Sequence, residues 1–397
     1  MKLIQQLDIT PTMYKNADEK YHAIANFLND SGIDAEMYPQ GSFAFGTVVR
    51  PNAKDPDADY DLDFICQLNK TRDDIAPSEL RNTIGDALQN SDRYNDKLTV
   101  WPECFTVEYA DINGVGFKID IVPATDESSQ HKQELMVKCS RPDLIGTSIA
   151  IPRENGERNY QWLTNNPKGF LTWFNEINAP FLAHKKEARR AKYFAEHSRV
   201  FASVEDIPDG LDRSALQRVI QILKYHRDIF YLRYKDDDLK PISAIINVLC
   251  AAIAKSANPQ LDTFELLSYV LHELDIYSKQ QTMSFQDFRT QYSAKNILTR
   301  NENKQWVLQN PANPEDNLVN KWNTDSRIPE YFFRWTAACK KDLVVALSLD
   351  DPEFRTAMEN AFGAKTIQRA WGDKYKEISR PAPTPILNTS KPYRELK

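Results

Sequence analysis

Apolar residues Tyr21, Ile24, Ala25 and Leu28 recur at helical spacing until Ser31-Gly32 stops them, and Asn16 three positions before Glu19 reads as a capping box opening that helix. Ala35 to Tyr38 runs into Gln40-Gly41-Ser42, and Asp59 to Gln67 alternates polar with apolar positions at period two, the mark of a strand. Leu80, Ile84 and Leu88 restore a helical period after Pro77. Phe105, Val107 and Tyr109 alternate, Asn113-Gly114 supplies a turn, and Phe117, Ile119 and Ile121 alternate again, which predicts a hairpin. Beyond about residue 205 the period changes. Leu216, Val219, Ile220 and Leu223 form one helical face and Leu267, Val270, Leu271 and Leu274 another, while strand-like alternation largely disappears.

These patterns predict an α+β fold: a nucleus of mixed helix and strand over residues 1–205, a helical domain over 206–380, and a proline-rich tail over 381–397. Ile207-Pro208-Asp209-Gly210 is the expected joint. Composition narrows the class. With 397 residues, 41% hydrophobic and 27% charged, the chain is long enough for two or three domains and has globular rather than disordered character. A net charge of -6 argues against a protein that holds nucleic acid mainly through a basic surface. The longest apolar stretch, Ile242 to Ala254, is broken by Ser243 and Asn247 and is shorter than the roughly 20 residues that span a bilayer. Since the N-terminus also lacks a signal-peptide pattern, a cytoplasmic protein without a membrane partner is expected. Five scattered cysteines with no Cys-x-x-Cys spacing point to free thiols, and His131 with Cys139 is half a metal site at most.

The chemistry concentrates in Asp59-Tyr60-Asp61-Leu62-Asp63-Phe64. On a strand, residues two apart share a face, so Asp59, Asp61 and Asp63 are gathered on one side while Tyr60, Leu62 and Phe64 fill the other. Grouped carboxylates repel, and hard oxygen ligands of this kind suit Mg²⁺ or Mn²⁺. A solvated acidic strand edge is the bland alternative. Two features count against it: Gly41-Ser42 lies upstream, where a residue without Cβ lets backbone N–H groups approach a phosphate, and Asp120 in Lys118-Ile119-Asp120-Ile121-Val122 offers a third acid from another strand.

Gly41-Ser42, Asp61-x-Asp63 and Asp120 together resemble the DNA polymerase beta type nucleotidyltransferase superfamily. More narrowly, QGSFAFGTVVRP, DYDLDF, KIDIVPA, LQRVIQILKYHRD and KPISAII are similar to bacterial CD-NTases, the cyclic GMP-AMP synthase and DncV-like nucleotidyltransferases of CBASS anti-phage systems. The resemblance implies a polymerase beta-like core with a mixed twisted sheet, joined to a C-terminal helical bundle, with nucleoside triphosphates bound between them. It implies that Asp61, Asp63 and Asp120 hold two Mg²⁺ ions, Mn²⁺ being an alternative, and that Gly41, Ser42, Lys224 and Ser243 contact the triphosphate. Taken alone, Lys224 lies beside an apolar helical face, where a lysine is ordinarily solvated. Asn165-Asn166-Pro167-Lys168-Gly169-Phe170 resembles a base-contacting region in which an asparagine, Asn166 in preference to Asn165, accompanies pyrimidine use, although Asn165-Asn166-Pro167 is also good turn chemistry. The implied product is a cyclic di- or trinucleotide messenger acting on a downstream effector. No long duplex DNA activator is expected, because the chain is acidic and shows no zinc-binding insertion. The basic run His184 to Lys192 reads either as a phosphate or partner contact or as a solvated helix face. Two other readings stand beside the synthase: nucleotidyl transfer to an RNA, protein or small-molecule acceptor, and an inactive nucleotide sensor.

Overall fold

The computed structural model describes residues 2–51, 59–109, 115–156, 159–196, 213–232 and 237–372. The expected Asn113-Gly114 turn, the 207–210 joint and the 381–397 tail lie outside them.

The chain opens with α1 (Lys2–Gln5) and α2 (Pro11–Asp30). The start of α2 corrects the reading at Asn16. Thr10 is the cap, its hydroxyl accepting from the Met13 N–H, and Pro11 occupies the first turn, where a missing N–H costs nothing. There follow β1 (Ala35–Gln40), α3 (Gly41–Ala44), β2 (Asp59–Thr71), α4 (Pro77–Gln89), β3 (Leu98–Val100), β4 (Phe105–Tyr109), β5 (Gly116–Asp126), α5 (Ser129–Lys138), β6 (Ile149–Glu154) and β7 (Tyr160–Asn165). These strands form one seven-stranded mixed sheet, in the order β1-β2-β5-β4-β3, with β6 pairing the far end of β5 and β7 pairing β6. The alternating segments 105–109 and 117–121 do pair antiparallel, Phe105 opposite Ile121. The neighbours β2 and β5 run parallel.

After the sheet come α6 (Pro167–Glu196), which ends before residue 206, and then α7 (Ala215–Tyr231), α8 (Ser243–Ala254), α9 (Thr263–Ser278), α10 (Phe285–Gln291), α11 (Arg327–Leu343), α12 (Asp351–Phe362) and α13 (Ala364–Trp371). Two short ladders interrupt this series: β8 (Thr299–Arg300) with β9 (Trp306–Val307), and β10 (Gln309–Asn310) with β11 (Asn313–Asn317). They are too short to leave a period-two signal.

Burial separates two main cores. One joins the sheet face bearing Tyr60, Leu62, Phe64, Ile119 and Ile121 to Ile24 and Leu28 of α2 and Ile84 and Leu88 of α4. The other gathers α7, α8, α9 and α11, and draws in Ile4, Leu7, Phe45 and Phe174 from before residue 206. Among the described residues, α7 is the central helix of that core, packing against α6, α8, α9, α11 and α12. It begins at a capping box, Ser214 accepting from the Gln217 N–H while the Gln217 side chain accepts from the Ser214 N–H.

Candidate active site

Strand alternation sends Tyr60, Leu62 and Phe64 into the core, so Asp61 and Asp63 emerge on the opposite face of β2. Parallel register sets Asp120 of β5 directly beside Asp63. Ligand atoms of Asp61, Asp63 and Asp120 all lie within 4.8 Å of one another, and among the described residues this is the one group of three or more acids, histidines or cysteines so arranged. The backbone geometry explains the clustering: laterally paired residues in a sheet stand about 5 Å apart, so one acid per strand at matched positions must crowd.

The crowding carries an electrostatic cost. Asp63 is surrounded by protein on most sides, and burial, followed by the charges of Asp61 and Asp120, pushes its carboxyl up to about 8. Burial also raises Asp120, opposed by the Thr106 hydroxyl, which donates to its Oδ1 at 2.5 Å from the neighbouring β4. Lys224 is 6% exposed and lowered to about 8, by burial first and by Arg227 second, while Asp61 and Asp63 pull it upward. The bland reading of Lys224 as a solvated lysine therefore fails, since it is buried beside the acids. Helix α7 is enclosed by other helices, so its polar face meets protein rather than water.

Gly41 opens α3 at φ +62°, a conformation that L side chains avoid, and a Cβ there would collide with the Asp63 carboxylate. The glycine thus lets the turn carrying Ser42 press against the acidic strand. All of this borders a cleft of about 1360 Å³ whose walls come from both halves: Gly41, Ser42, Asp61 and Asp63 on the sheet side, Lys224, Arg227 and Ser243 on the helical side. Ser243 is the first residue of α8, and its Oγ accepts from Arg227 Nη1 at 3.2 Å.

Asn166 is corrected. It is 2% exposed and caps α6, its Oδ1 accepting from the Gly169 N–H at 2.9 Å and the Thr147 hydroxyl at 2.9 Å. Its amide nitrogen donates to the carbonyls of Leu144 and Ala312. Every polar atom of that side chain is committed inside the protein, and it is the neighbouring Asn165 that borders the cleft. His131 and Cys139 also part company: His131 meets Glu134 and Glu315, and Cys139 Sγ meets the Pro311 carbonyl. In the basic run, Lys185 Nζ donates to the Arg213 carbonyl at 2.5 Å.

Thr106, Arg227, Lys240 and Lys321 are site residues that sequence reasoning missed. Only Thr106 left a signal, as a polar position between Phe105 and Val107, on the strand face that Asp120 uses across the hairpin.

The mixed sheet and the helices beside it make up a polymerase beta-like fold. Comparison with known proteins agrees. Residues 1–138 match the family model of the Second Messenger Oligonucleotide or Dinucleotide Synthetase domain. The c-di-GMP synthase of Roseivirga ehrenbergii is 23% identical over 336 residues, 83% of this chain and 74% of that protein. Among solved structures, the Bradyrhizobium diazoefficiens CD-NTase CdnG in complex with GTP aligns with a TM-score of 0.63 at 19% identity, covering 93% of this chain and 96% of that one. Vibrio cholerae DncV cyclic AMP-GMP synthase in complex with a linear intermediate aligns at 0.52 and 16% identity, covering 84% and 70%. The first 138 residues match the synthetase-domain model, and the fold is that of the CD-NTases.

Proposed function

We propose that the chain joins nucleoside triphosphates into a cyclic dinucleotide or trinucleotide, releasing one pyrophosphate per bond formed. The observation that carries this reading is the clustering of three acids on two parallel strands, two of which, Asp61 and Asp63, line a cleft whose other wall holds a buried lysine, with Asp120 in register beside Asp63. The donor set fits divalent ions: three hard oxygen ligands, raised carboxyls and a single buried ammonium beside them leave negative charge to be neutralised. Mg²⁺ is the ion proposed, as a pair, with Mn²⁺ able to replace it. Divalent ions held there would supply charge neutralisation at the phosphate oxygens and acidify the attacking ribose hydroxyl.

The chain's own residues do the remaining work. Asp61 and Asp63 would hold the ion that accompanies the triphosphate, and Asp120, oriented by Thr106, would complete the second position. The Gly41-Ser42 turn would cradle phosphate oxygens, with Lys224 and Ser243 meeting the triphosphate from the helical wall. The ribose hydroxyl attacks the α-phosphorus, forming the phosphodiester P–O bond as the bond to pyrophosphate breaks, and the hydroxyl proton leaves to solvent. No covalent enzyme intermediate is required.

Guanosine triphosphate is the first substrate to try, because one relative is named for c-di-GMP and another holds GTP. Asn166 lends pyrimidine use no support, its side chain being committed inside the protein, and of the two asparagines only Asn165 borders the cleft. The proposal keeps the sequence-based division at residue 206, an intracellular site of action, and a product that signals to an anti-phage effector. Among the described residues no helix is long and apolar enough to cross a membrane.

Incubation with all four ribonucleoside triphosphates and Mg²⁺, followed by mass spectrometry, is expected to show a phosphatase-resistant cyclic product. Asp61→Asn combined with Asp63→Asn should cut pyrophosphate release at least about 10³-fold while the protein stays folded. Undiminished release from that variant would refute the assignment. A labelled acceptor in place of a cyclic product would favour transfer to RNA, protein or a small molecule.

A further inference from the structure

The turn that follows Gly41-Ser42 is held by a row of side chains whose arrangement the reaction chemistry does not explain. Four consecutive carbonyls, those of Phe45, Gly46, Thr47 and Val48, each accept a hydrogen bond from a side chain of the helical half. Gln217 Nε2 donates to Phe45 at 2.9 Å, Arg213 Nη1 to Gly46, Lys224 Nζ to Thr47 at 3.2 Å, and Gln221 Nε2 to Val48 at 2.7 Å. Gln217, Gln221 and Lys224 are spaced i, i+4, i+7, so one stripe of α7 presents three of the donors, and Arg213 precedes the cap. The row is anchored in turn by Asp8, whose Oδ1 accepts from Arg213, Arg218 and Gln221 at 3.1, 2.7 and 3.2 Å.

The same turn is tied on its other side. The N–H groups of Phe45, Gly46 and Thr47 donate back to the carbonyls of Gly41, Phe43 and Ser42. Gly46 sits at φ +63°, and a Cβ there would come within 2.6 Å of Gln217 Nε2. One end of the 41–48 segment is therefore wedged against Asp63 and the other against the α7 row, with no slack between them. Buried carbonyls need partners, and here the partners are long side chains of another core rather than the turn's own backbone.

Resting on the functional reading above, we propose that Gln217, Gln221 and Arg213 are positioning residues: through this row α7 sets the placement of the Gly41-Ser42 turn against the three acids. Positioning of this kind acts on rate, since reacting groups misplaced by about 1 Å lose around 10²-fold.

Gln217 allows a clean test, because its two ends do different work. Its Oε1 caps α7 by accepting from the Ser214 N–H at 2.9 Å, and its Nε2 holds Phe45. Gln217→Glu retains the cap acceptor, the usual capping-box residue, and removes only the donor. Gln217→Ala removes both. Both variants are expected to lower kcat between about 10- and 100-fold while the affinity for a non-hydrolysable GTP analogue changes by less than about threefold. In the free protein, hydrogen exchange at the amides of Phe45, Gly46 and Thr47 should accelerate about tenfold or more in each. A capping role alone predicts that the Glu variant behaves as wild type, and wild-type kcat or wild-type exchange in Gln217→Glu overturns the proposal. Exchange is read without substrate, so it decides whether the row holds the turn even in a chain that makes no cyclic product. A wild-type protein that turns over no triphosphate would count against the functional reading instead.

Discussion

The two walls of the cleft handle polar groups in opposite ways. On the helical wall, Gln221 and Lys224 are nearly inaccessible, yet each finds a carbonyl of the 45–48 turn, and Asp8 answers the charges of Arg213 and Arg218. On the sheet wall, Asp61, Asp63 and Asp120 crowd together, and burial with mutual repulsion raises the carboxyls of Asp63 and Asp120. Buried polar groups that are satisfied internally describe architecture. Acids crowded against one another are what the proposed cations would neutralise, because a fold gains nothing from three adjacent acids.

The contrast can be broken most severely at the point where the walls meet. Gly41→Ala forces a Cβ against the Asp63 carboxylate at a positive φ, so kcat is expected to fall about 10²-fold, with a stability loss of about 1 to 2 kcal/mol. Steady-state kinetics and thermal melting measure both, and a variant matching wild type in turnover would show that the turn need not press on the acids. Lys224→Ala removes the cation common to both walls. The apparent affinity for triphosphate is expected to weaken between about 10- and 100-fold, the worth of a charge-assisted hydrogen bond, and an unchanged KM would remove Lys224 from the site.

A smaller effect sharpens the comparison without any reaction. The folded-state carboxyl of Asp63 is raised above its unfolded value, so its contribution to stability is complete below about pH 4 and is lost as pH rises through about 8. In the metal-free protein, Asp63→Asn should therefore stabilise the fold on the alkaline side, by about 2 kcal/mol at pH 8 after allowance for the open mouth of the cleft, and by nothing at pH 4. Saturating Mg²⁺ should narrow the gap by stabilising wild type alone. Denaturant melts at the two pH values check this, and a destabilised Asn variant at pH 8 would mean that the acids are not under strain.

How far the sequence reaches follows from the same division. The period-two alternation at Asp59 to Phe64 put Asp61 and Asp63 on one face, and the alternation around Asp120 supplied the third acid, because side-chain direction along a strand is a local property. Partners are not local. Nothing in the pattern of α7 says that its polar stripe meets a turn some 170 positions earlier, as the Gln217 to Phe45 bond does, and so only the family resemblance singled out Lys224, while Gln217 and Gln221 passed unnoticed. Asn166 shows the converse. Its turn chemistry was legible, and the structure makes of it an N-cap, whereas a base contact required knowing which way the amide points. Thr10-Pro11 similarly outranked Asn16, since a cap with proline in the first turn fixes a helix start more firmly than a capping-box spacing inside it.

Manganese binding followed by electron paramagnetic resonance tests the central claim most directly. In the presence of a non-hydrolysable GTP analogue, the wild-type chain is expected to bind two Mn²⁺ ions at the acidic strands, and the chain carrying Asp61→Asn and Asp63→Asn to bind none there. Equal manganese uptake by the two proteins would contradict the account.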